Sequence, residues 1–320
     1  MSIARAAAAF AAVLLSATLV YAIETKPAIV FDLGGKFDKS VNEGVANGAE
    51  RLKRETGIDP IEFEVTNDTQ IEQAHRRFAQ RGSDLIIGVG FDQEVPVRAV
   101  AKEFPAVHFT IIDAVVKLPN VQSVLFKEQE GSFLVGIAAA MASKTGKIGF
   151  VGGMDVPLIR RFACGYIHGA KYANPNIEVI QNMTGTTPAA WNDPARGGEL
   201  AKGQFDRGVD VVYAAAGGTG IGVYQMARDA GKLAIGVDSN QNYLQPGTML
   251  TSMVKRVDGT WQAGISVLGL KEGGVDWAVD QYNENLITPE MKAKVEQAEK
   301  DIIDGKIKVQ DYMEANTCSS

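Results

Sequence analysis

Phe31-Asp32-Leu33-Gly34-Gly35-Lys36-Phe37-Asp38-Lys39-Ser40-Val41-Asn42 is the stretch on which the reading of this chain turns. An apolar run, Ala28 to Phe31, ends in an aspartate, and two glycines and an aromatic set among charges follow. Ser40 with Glu43 three positions on has the spacing of a capping box, and Val45, Ala49 and Leu52 continue one apolar helical face. Asp32, Phe37, Asp38 and Asn42 are therefore expected at the carboxyl end of a strand, before or inside the first turn of a helix. In open parallel sheets that rim is where ligands bind. Phe37, flanked by Lys36 and Asp38, has no evident core to enter.

The pattern around this stretch repeats. Strands are expected over 28–31, 61–65, 84–89, 107–112 and 121–125, with helices over 40–55, 69–81, 95–103 and 130–142. The pattern restarts at Lys147, with strands over 147–151, 177–182, 209–214 and 232–237 and helices over 157–172, 194–207 and 219–230. A strand over 249–254 and helices over 259–271 and 289–304 close the chain. Alternation of this kind specifies parallel, doubly wound α/β sheets, and its restart specifies two similar lobes. Gly131, Gly136 and Ala138 to Ala140 mark the 130–142 helix for close packing against another element.

At 320 residues the chain has room for two domains. A formal charge of −6 offers nothing to nucleic acid or to an anionic membrane surface. Cys164 and Cys318, the two cysteines, have no metal-ligand spacing, and Cys318 lies in a polar tail, 313–320, expected to be unfolded. At the start, Arg5, the apolar run Ala6–Val20 and Val20-Tyr21-Ala22 read as a signal peptide over 1–22, cleaved near Ala22. The run falls short of the roughly 20 residues a spanning helix needs. With no cysteine beside the cleavage site, a lipid-free periplasmic protein is expected.

The strand ends share a composition. Asp32 follows the first, Gly90-Phe91-Asp92 the third, and Asp113 the fourth. Gly217-Gly218-Thr219-Gly220, Asp238-Ser239-Asn240 and Lys255 follow later ones. Together they form a rim of carboxylates, amides, glycines and one lysine suited to a polyhydroxylated ligand between two lobes. Trp191, among Thr187, Pro188, Asn192, Asp193 and Pro194, sits in loop-like surroundings. An aromatic pair, Phe37 and Trp191, suits a flat heterocycle.

Seven motifs in order carry a resemblance over about 26–308. They include Asp32…Phe37-Asp38-Lys39-Ser40-x-Asn42, Gly131-Ser132-Phe133-Leu134-Val135-Gly136 and Lys147-Ile148-Gly149-Phe150-Val151-Gly152-Gly153. Trp191-Asn192-Asp193-Pro194, Ala216-Gly217-Gly218-Thr219-Gly220, Gly236-Val237-Asp238-Ser239-Asn240-Gln241 and Thr251-Ser252-Met253-Val254-Lys255 complete the set. The chain resembles the basic membrane protein family of ABC-transporter substrate-binding proteins, a group that includes purine-nucleoside receptors. The resemblance implies a type I periplasmic-binding-protein fold, two Rossmann-like lobes joined by crossover segments. The restart of the pattern at Lys147 and the return of a strand at Met249 place the lobes at 26–142 plus 251–275 and 146–248 plus 279–312, with three crossovers as the hinge. The resemblance also implies a monomer that hands a ligand to a membrane permease and needs no cofactor or metal. Phe37 and Trp191 would stack on a purine, and Asp238 and Lys255 would hold the ribose. Asp32, Asn42, Asp113, Gly217 and Gly218 would supply further polar contacts, with Asp38 and Phe91 beside them. Trp191 stands where the family more often has phenylalanine, and Val41 replaces an aromatic.

Other readings weigh less. Gly217-Gly218-Thr219-Gly220-Ile221-Gly222 before a helix mimics the dinucleotide fingerprint of an NAD(P)-binding enzyme, but with imperfect spacing. There is no Gly-x-Ser-x-Gly elbow and no His-Glu-x-x-His pair. His75, His108 and His168 fall on separate elements, with His75 expected in solvent and His108 packed. A free purine base, riboflavin, a sugar or an autoinducer would fit the same fold.

Overall fold

The structure, a computed structural model, describes residues 25–257 and 264–318. The expected signal peptide lies outside the described residues. In chain order the first series is β1 (Pro27–Phe31), α1 (Val41–Thr56), β2 (Ile61–Glu64), α2 (Thr69–Gln80), β3 (Leu85–Gly88), α3 (Glu94–Glu103), β4 (His108–Ile112) and β5 (Val121–Phe126). Then come α4 (Glu128–Ala142), β6 (Lys147–Met154), α5 (Pro157–Ala173), β7 (Glu178–Gly185), α6 (Pro194–Phe205), β8 (Val211–Ala215), α7 (Gly220–Asp229), β9 (Leu233–Asp238) and β10 (Met249–Lys255). The chain finishes with β11 (Gly264–Leu268), β12 (Val275–Trp277), α8 (Pro289–Ile303) and α9 (Tyr312–Ala315).

These strands form two six-stranded sheets, ordered β11-β5-β4-β3-β1-β2 and β12-β10-β9-β8-β6-β7. All pairings are parallel except that of β10 with β12. Strands covered on both faces are apolar runs, as in Ala28-Ile29-Val30-Phe31, where every residue is buried. The chain passes between the sheets after β5, after β10 and after β11, the expected three crossovers.

The lobe boundaries differ from the expected ones. Met249–Lys255 does not return to the first lobe: β10 pairs with β9 in the second sheet, and it is β11 that returns, beside β5. The segment from 264 within the expected 259–271 helix is thus a strand, in register from Gly264 opposite Gln122 to Leu268 opposite Phe126. A short apolar run does not distinguish strand from helix, and the branched Ile265 and Val267 suit the pleat. The preceding residues, 258–263, lie outside the described ones.

The α4 helix also packs with the second lobe, against α5, α8, β10 and β12. Its glycines explain how closely. A Cβ on Gly136 would lie 2.2 Å from the Tyr166 carbonyl oxygen, and one on Gly169 would lie 1.9 Å from that of Phe133. Within the tail expected to be unfolded, 313–315 belong to α9, and Cys318 is disulfide-bonded to Cys164 on α5.

Candidate functional site

Residues after the carboxyl ends of strands in both sheets line one cavity of about 560 Å³, open mouth included. Asp32, Gly90, Phe91 and Asp113 reach it from the first lobe, and Trp191, Gly217, Asp238 and Lys255 from the second. Two of its carboxylates sit on strained backbone: φ is 68° at Asp113 and 63° at Asp238, the left-handed region that a side chain rarely adopts. Such strain concentrates at functional sites.

Lys255 is the centre of charge. Its side chain is 2% exposed, with Nζ 2.7 Å from Asp113 Oδ2, 3.5 Å from Glu128 Oε1 and 3.9 Å from Asp238 Oδ1. Burial alone would lower its pKa, but the carboxylates of Asp113, Asp238 and Glu128 hold it above the ordinary lysine value. The rings of Phe126 and Phe162 lie 5.3 and 5.8 Å from the same nitrogen. Asp238 accepts a 2.6 Å hydrogen bond from the Ser40 hydroxyl, and its Oδ1 has no hydrogen-bond partner among the described residues. Burial raises its pKa, with the Lys255 charge acting against it.

The lobes also meet at the mouth. The Ser239 hydroxyl donates to the Ser40 carbonyl at 2.8 Å, and the Gln241 amide donates to that of Lys39 at 2.7 Å. Ser40 is therefore not the capping residue of α1. That role falls to Asp38, whose carboxylate accepts from the backbone N–H of Ser40, Asn42 and Glu43 at 2.8, 3.2 and 3.1 Å. Lys39, at φ 61°, turns the chain so that Asp38 folds back over the first turn.

Asp32 Oδ1 accepts from the Asn42 amide at 2.6 Å and from Gly34 N–H at 2.8 Å. Burial raises the Asp32 pKa. Burial also pushes Asp38 up to about 7, against its backbone hydrogen bonds. Asp92 is likewise pushed up to about 7, by burial first and then by the Asp32 charge. Gly90 lies between Asp32 and Asp92: a Cβ there would sit 3.0 Å from a carboxylate oxygen of each.

The aromatic wall differs from the expected one. Trp191 lines the cavity, seated against Gly153, where a Cβ would fall 2.1 Å from its ring. Its aromatic neighbour is Phe91, edge-on at 6.4 Å between centroids. Phe37 is 68% exposed and lies outside the cavity, with Lys36 Nζ 5.5 Å from its ring. Asn42 is fully buried behind Asp32 and Asp38, and Gly218 packs near the Trp191 carbonyl; neither lines the cavity.

Sequence reasoning missed Leu158, Ile159 and Phe162, which line the cavity from the start of α5, and Glu128 beneath Lys255. The first three fall on the apolar face of the expected 157–172 helix, and Glu128 lies just before the expected 130–142 helix, where nothing in the local pattern marks it. The histidines also exchange their expected places. His75 is fully buried and bonded to Gln93 at 2.7 Å, its pKa pushed down to about 4 by burial, while His108 is exposed.

Residues 26–312 match the family profile of PnrA-like ABC transporter substrate-binding proteins. The ABC transporter nucleoside-binding protein BmpA of Lactococcus lactis is 35% identical over 323 residues, covering 89% of each chain. A lipoprotein of Pyrococcus horikoshii is 35% identical over 285 residues, covering 80% of this chain and 69% of its own. Among solved structures, an ABC-transporter solute-binding protein of Aeropyrum pernix superposes with a TM-score of 0.81 at 30% identity, covering 89% of this chain and 92% of that one. The Aeropyrum superposition bears out the type I periplasmic-binding-protein fold, and the family and the Lactococcus and Aeropyrum relatives are binding proteins rather than enzymes.

Proposed function

The chain belongs to the PnrA-like ABC-transporter substrate-binding proteins, which bind a small molecule and deliver it to a membrane permease, and from that premise we propose that its ligand is a purine nucleoside. The observation that carries the reading is the pairing, in one cavity, of an aromatic wall with a charged rim. Trp191 and Phe91 form the wall, and Asp113, Asp238 and Lys255 form the rim. Stacking on an aromatic ring contributes about 1–3 kcal/mol per base. The Oδ1 atoms of Asp113 and Asp238, which have no hydrogen-bond partner among the described residues, are acceptors for hydroxyl groups. Asp32, Asp38 and Ser40 add polar side chains to the lining, beside Gly34 and Gly217.

Phe37 enters the site only with ligand in this reading. The ring stands in solvent on the loop after Gly34-Gly35, whose neighbours Gly34 and Asp38 already line the cavity. Its closure would bury an otherwise exposed aromatic against the base.

The charge balance favours a neutral, donor-rich ligand. Asp32, Asp113 and Asp238 face the cavity with Lys255, which is itself engaged by Asp113 and Glu128. A phosphate would meet carboxylates and no uncommitted cation among the lining residues. The Arg5 and apolar-run signature supports export to the periplasm, and the lack of a cysteine beside Ala22 favours a protein without lipid, unlike the Pyrococcus relative, whose name makes it a lipoprotein.

The test is mass spectrometry of the molecule released on denaturing the purified protein, followed by calorimetry with inosine, hypoxanthine and inosine monophosphate. Inosine bound most tightly is the expected result. Hypoxanthine binding equally well would move the free base ahead, and tight binding of the monophosphate would reject the charge argument. Intact mass of exported protein should show a start near Ile23 with no added lipid.

A further inference from the structure

Behind the cavity runs a chain of buried charge that ends at the C-terminus. Glu128 is fully buried at the start of α4, with Oε1 facing Lys255 and Oε2 accepting a 2.9 Å hydrogen bond from Arg161 Nη1. Arg161, on α5, is itself almost wholly buried, and its Nη1 also donates to the Phe126 carbonyl at 2.9 Å. Its Nε and Nη2 form a two-pronged pair with Asp311, at 2.8 Å each. Asp311 lies outside both sheets, in the final segment of the chain, where it caps α9 by accepting from Met313 N–H at 2.8 Å. Three residues beyond Arg161 on the same helix, Cys164 is joined to Cys318, so the final segment is fastened to α5 at two points.

We propose that this C-terminal segment positions the ligand-binding lysine: Asp311 holds Arg161, Arg161 holds Glu128, and Glu128 anchors Lys255 from behind the cavity wall. The inference rests on Lys255 being a ligand contact, but not on the identity of the ligand. Lys255 has three N–H donors. Asp113 takes one at 2.7 Å, while Glu128 draws the ammonium to the rear of the cavity at 3.5 Å. That pull keeps it 3.9 Å from Asp238, leaving a donor and the free Asp238 oxygen for a shared hydroxyl group. Without the charge on Glu128, the ammonium collapses onto Asp113 and Asp238, and both are withdrawn from the ligand. Arg161 in turn favours the charged form of the buried Glu128, through a direct hydrogen bond at 2.9 Å. Burial raises its pKa, and the neighbouring cations Lys255 and Arg161 oppose the rise. A two-pronged arginine–carboxylate pair fixes orientation as well as charge, so Asp311 sets where the guanidinium points.

The experiment compares Glu128→Gln, Asp311→Asn and Asp311→Glu with the parent, by calorimetry with inosine and with hypoxanthine. Lys255 is followed in parallel by NMR of its side-chain ammonium group without ligand. Glu128→Gln should weaken inosine about ten- to a hundredfold, the loss of one charged hydrogen-bonding partner. Hypoxanthine should be unaffected. Asp311→Asn should show the same split more weakly, Asp311→Glu should restore the parent behaviour, and both neutral variants should move the Lys255 resonance. A purely structural role would lower thermal stability and weaken nucleoside and base alike, or neither, and would leave the Lys255 resonance in place. Either result overturns the proposal. If Glu128→Gln does not fold, Asp311→Asn, at a partly exposed position, carries the same test. A parent that binds no nucleoside defeats the ligand assignment alone. The Lys255 resonance then decides, and its failure to move in both variants rejects the positioning role.

Discussion

Lys255 Nζ lies 2.7 Å from Asp113 Oδ2, and this bond crosses from one lobe to the other. The lysine ends β10 of the second sheet, and the aspartate follows β4 of the first. Both side chains are more than nine-tenths buried, so the pair is shielded from salt. Breaking such a pair by removing one partner costs about 3–5 kcal/mol, because the other charge stays buried and alone.

Asp238 offers the cleanest separation of sugar from base. Asp238→Ala should weaken nucleoside binding by about 1.5–3 kcal/mol, and Asp238→Asn by less, because the amide oxygen still accepts. Free base should lose little in either. Calorimetry with nucleoside and its own base, at fixed pH and salt, decides. Equal losses for both ligands would remove Asp238 from the ribose site.

The aromatic wall can be tested at three positions. Trp191→Ala should weaken nucleoside binding by about 1–3 kcal/mol with the fold retained. Gly153→Ala should act in the same direction through its neighbour, since its new methyl group would meet the Trp191 ring at 2.1 Å. Phe37→Ala should leave the melting temperature unchanged, the ring being exposed, yet weaken binding if the ring closes on the base. Parent-like affinity in that variant would show that Phe37 stays outside.

Asp92 predicts a pH dependence of stability. Its carboxyl is pushed up to about 7, so between about pH 4 and 7 the folded chain holds a proton that the unfolded chain has released. Its contribution is full below about pH 4 and is lost as pH rises through 7. Asp92→Asn should therefore match the parent near pH 4 and be more stable at pH 8, by on the order of 1–2 kcal/mol. Urea denaturation at the two pH values checks this. An equal difference at both would mean that the carboxyl titrates normally.

The disulfide between Cys164 and Cys318 closes a separation of 154 residues. Cys164→Ser, or reduction of the parent, should lower stability by about 2–4 kcal/mol. Denaturant midpoints with and without a thiol reductant provide the measurement, and an unchanged midpoint would mean that Arg161 and Asp311 hold the final segment unaided.

The alternation of strands and helices, the two doubly wound lobes and the rim at the strand ends are legible in the residues alone. All of these follow from local period and turn chemistry. Asp32, Asp113, Gly217, Asp238 and Lys255, which line the cavity, were expected at strand ends because parallel strands place their carboxyl ends on one edge, and Trp191 was expected from its loop-like surroundings. Tertiary structure alone decided which sheet each late strand joins, since Met249–Lys255 and Gly264–Leu268 are both short apolar runs that could complete either edge. It also decided the duties of neighbouring polar groups. Asp38 caps α1 and Ser40 bonds across the cleft, because Lys39 turns through a positive φ that residue type does not reveal. Phe91 rather than Phe37 stands beside Trp191, and Glu128 lies under Lys255, because each pair comes from elements far apart in sequence. Periodicity reports which face of an element is buried. Only packing of the two lobes against each other selects what that face meets.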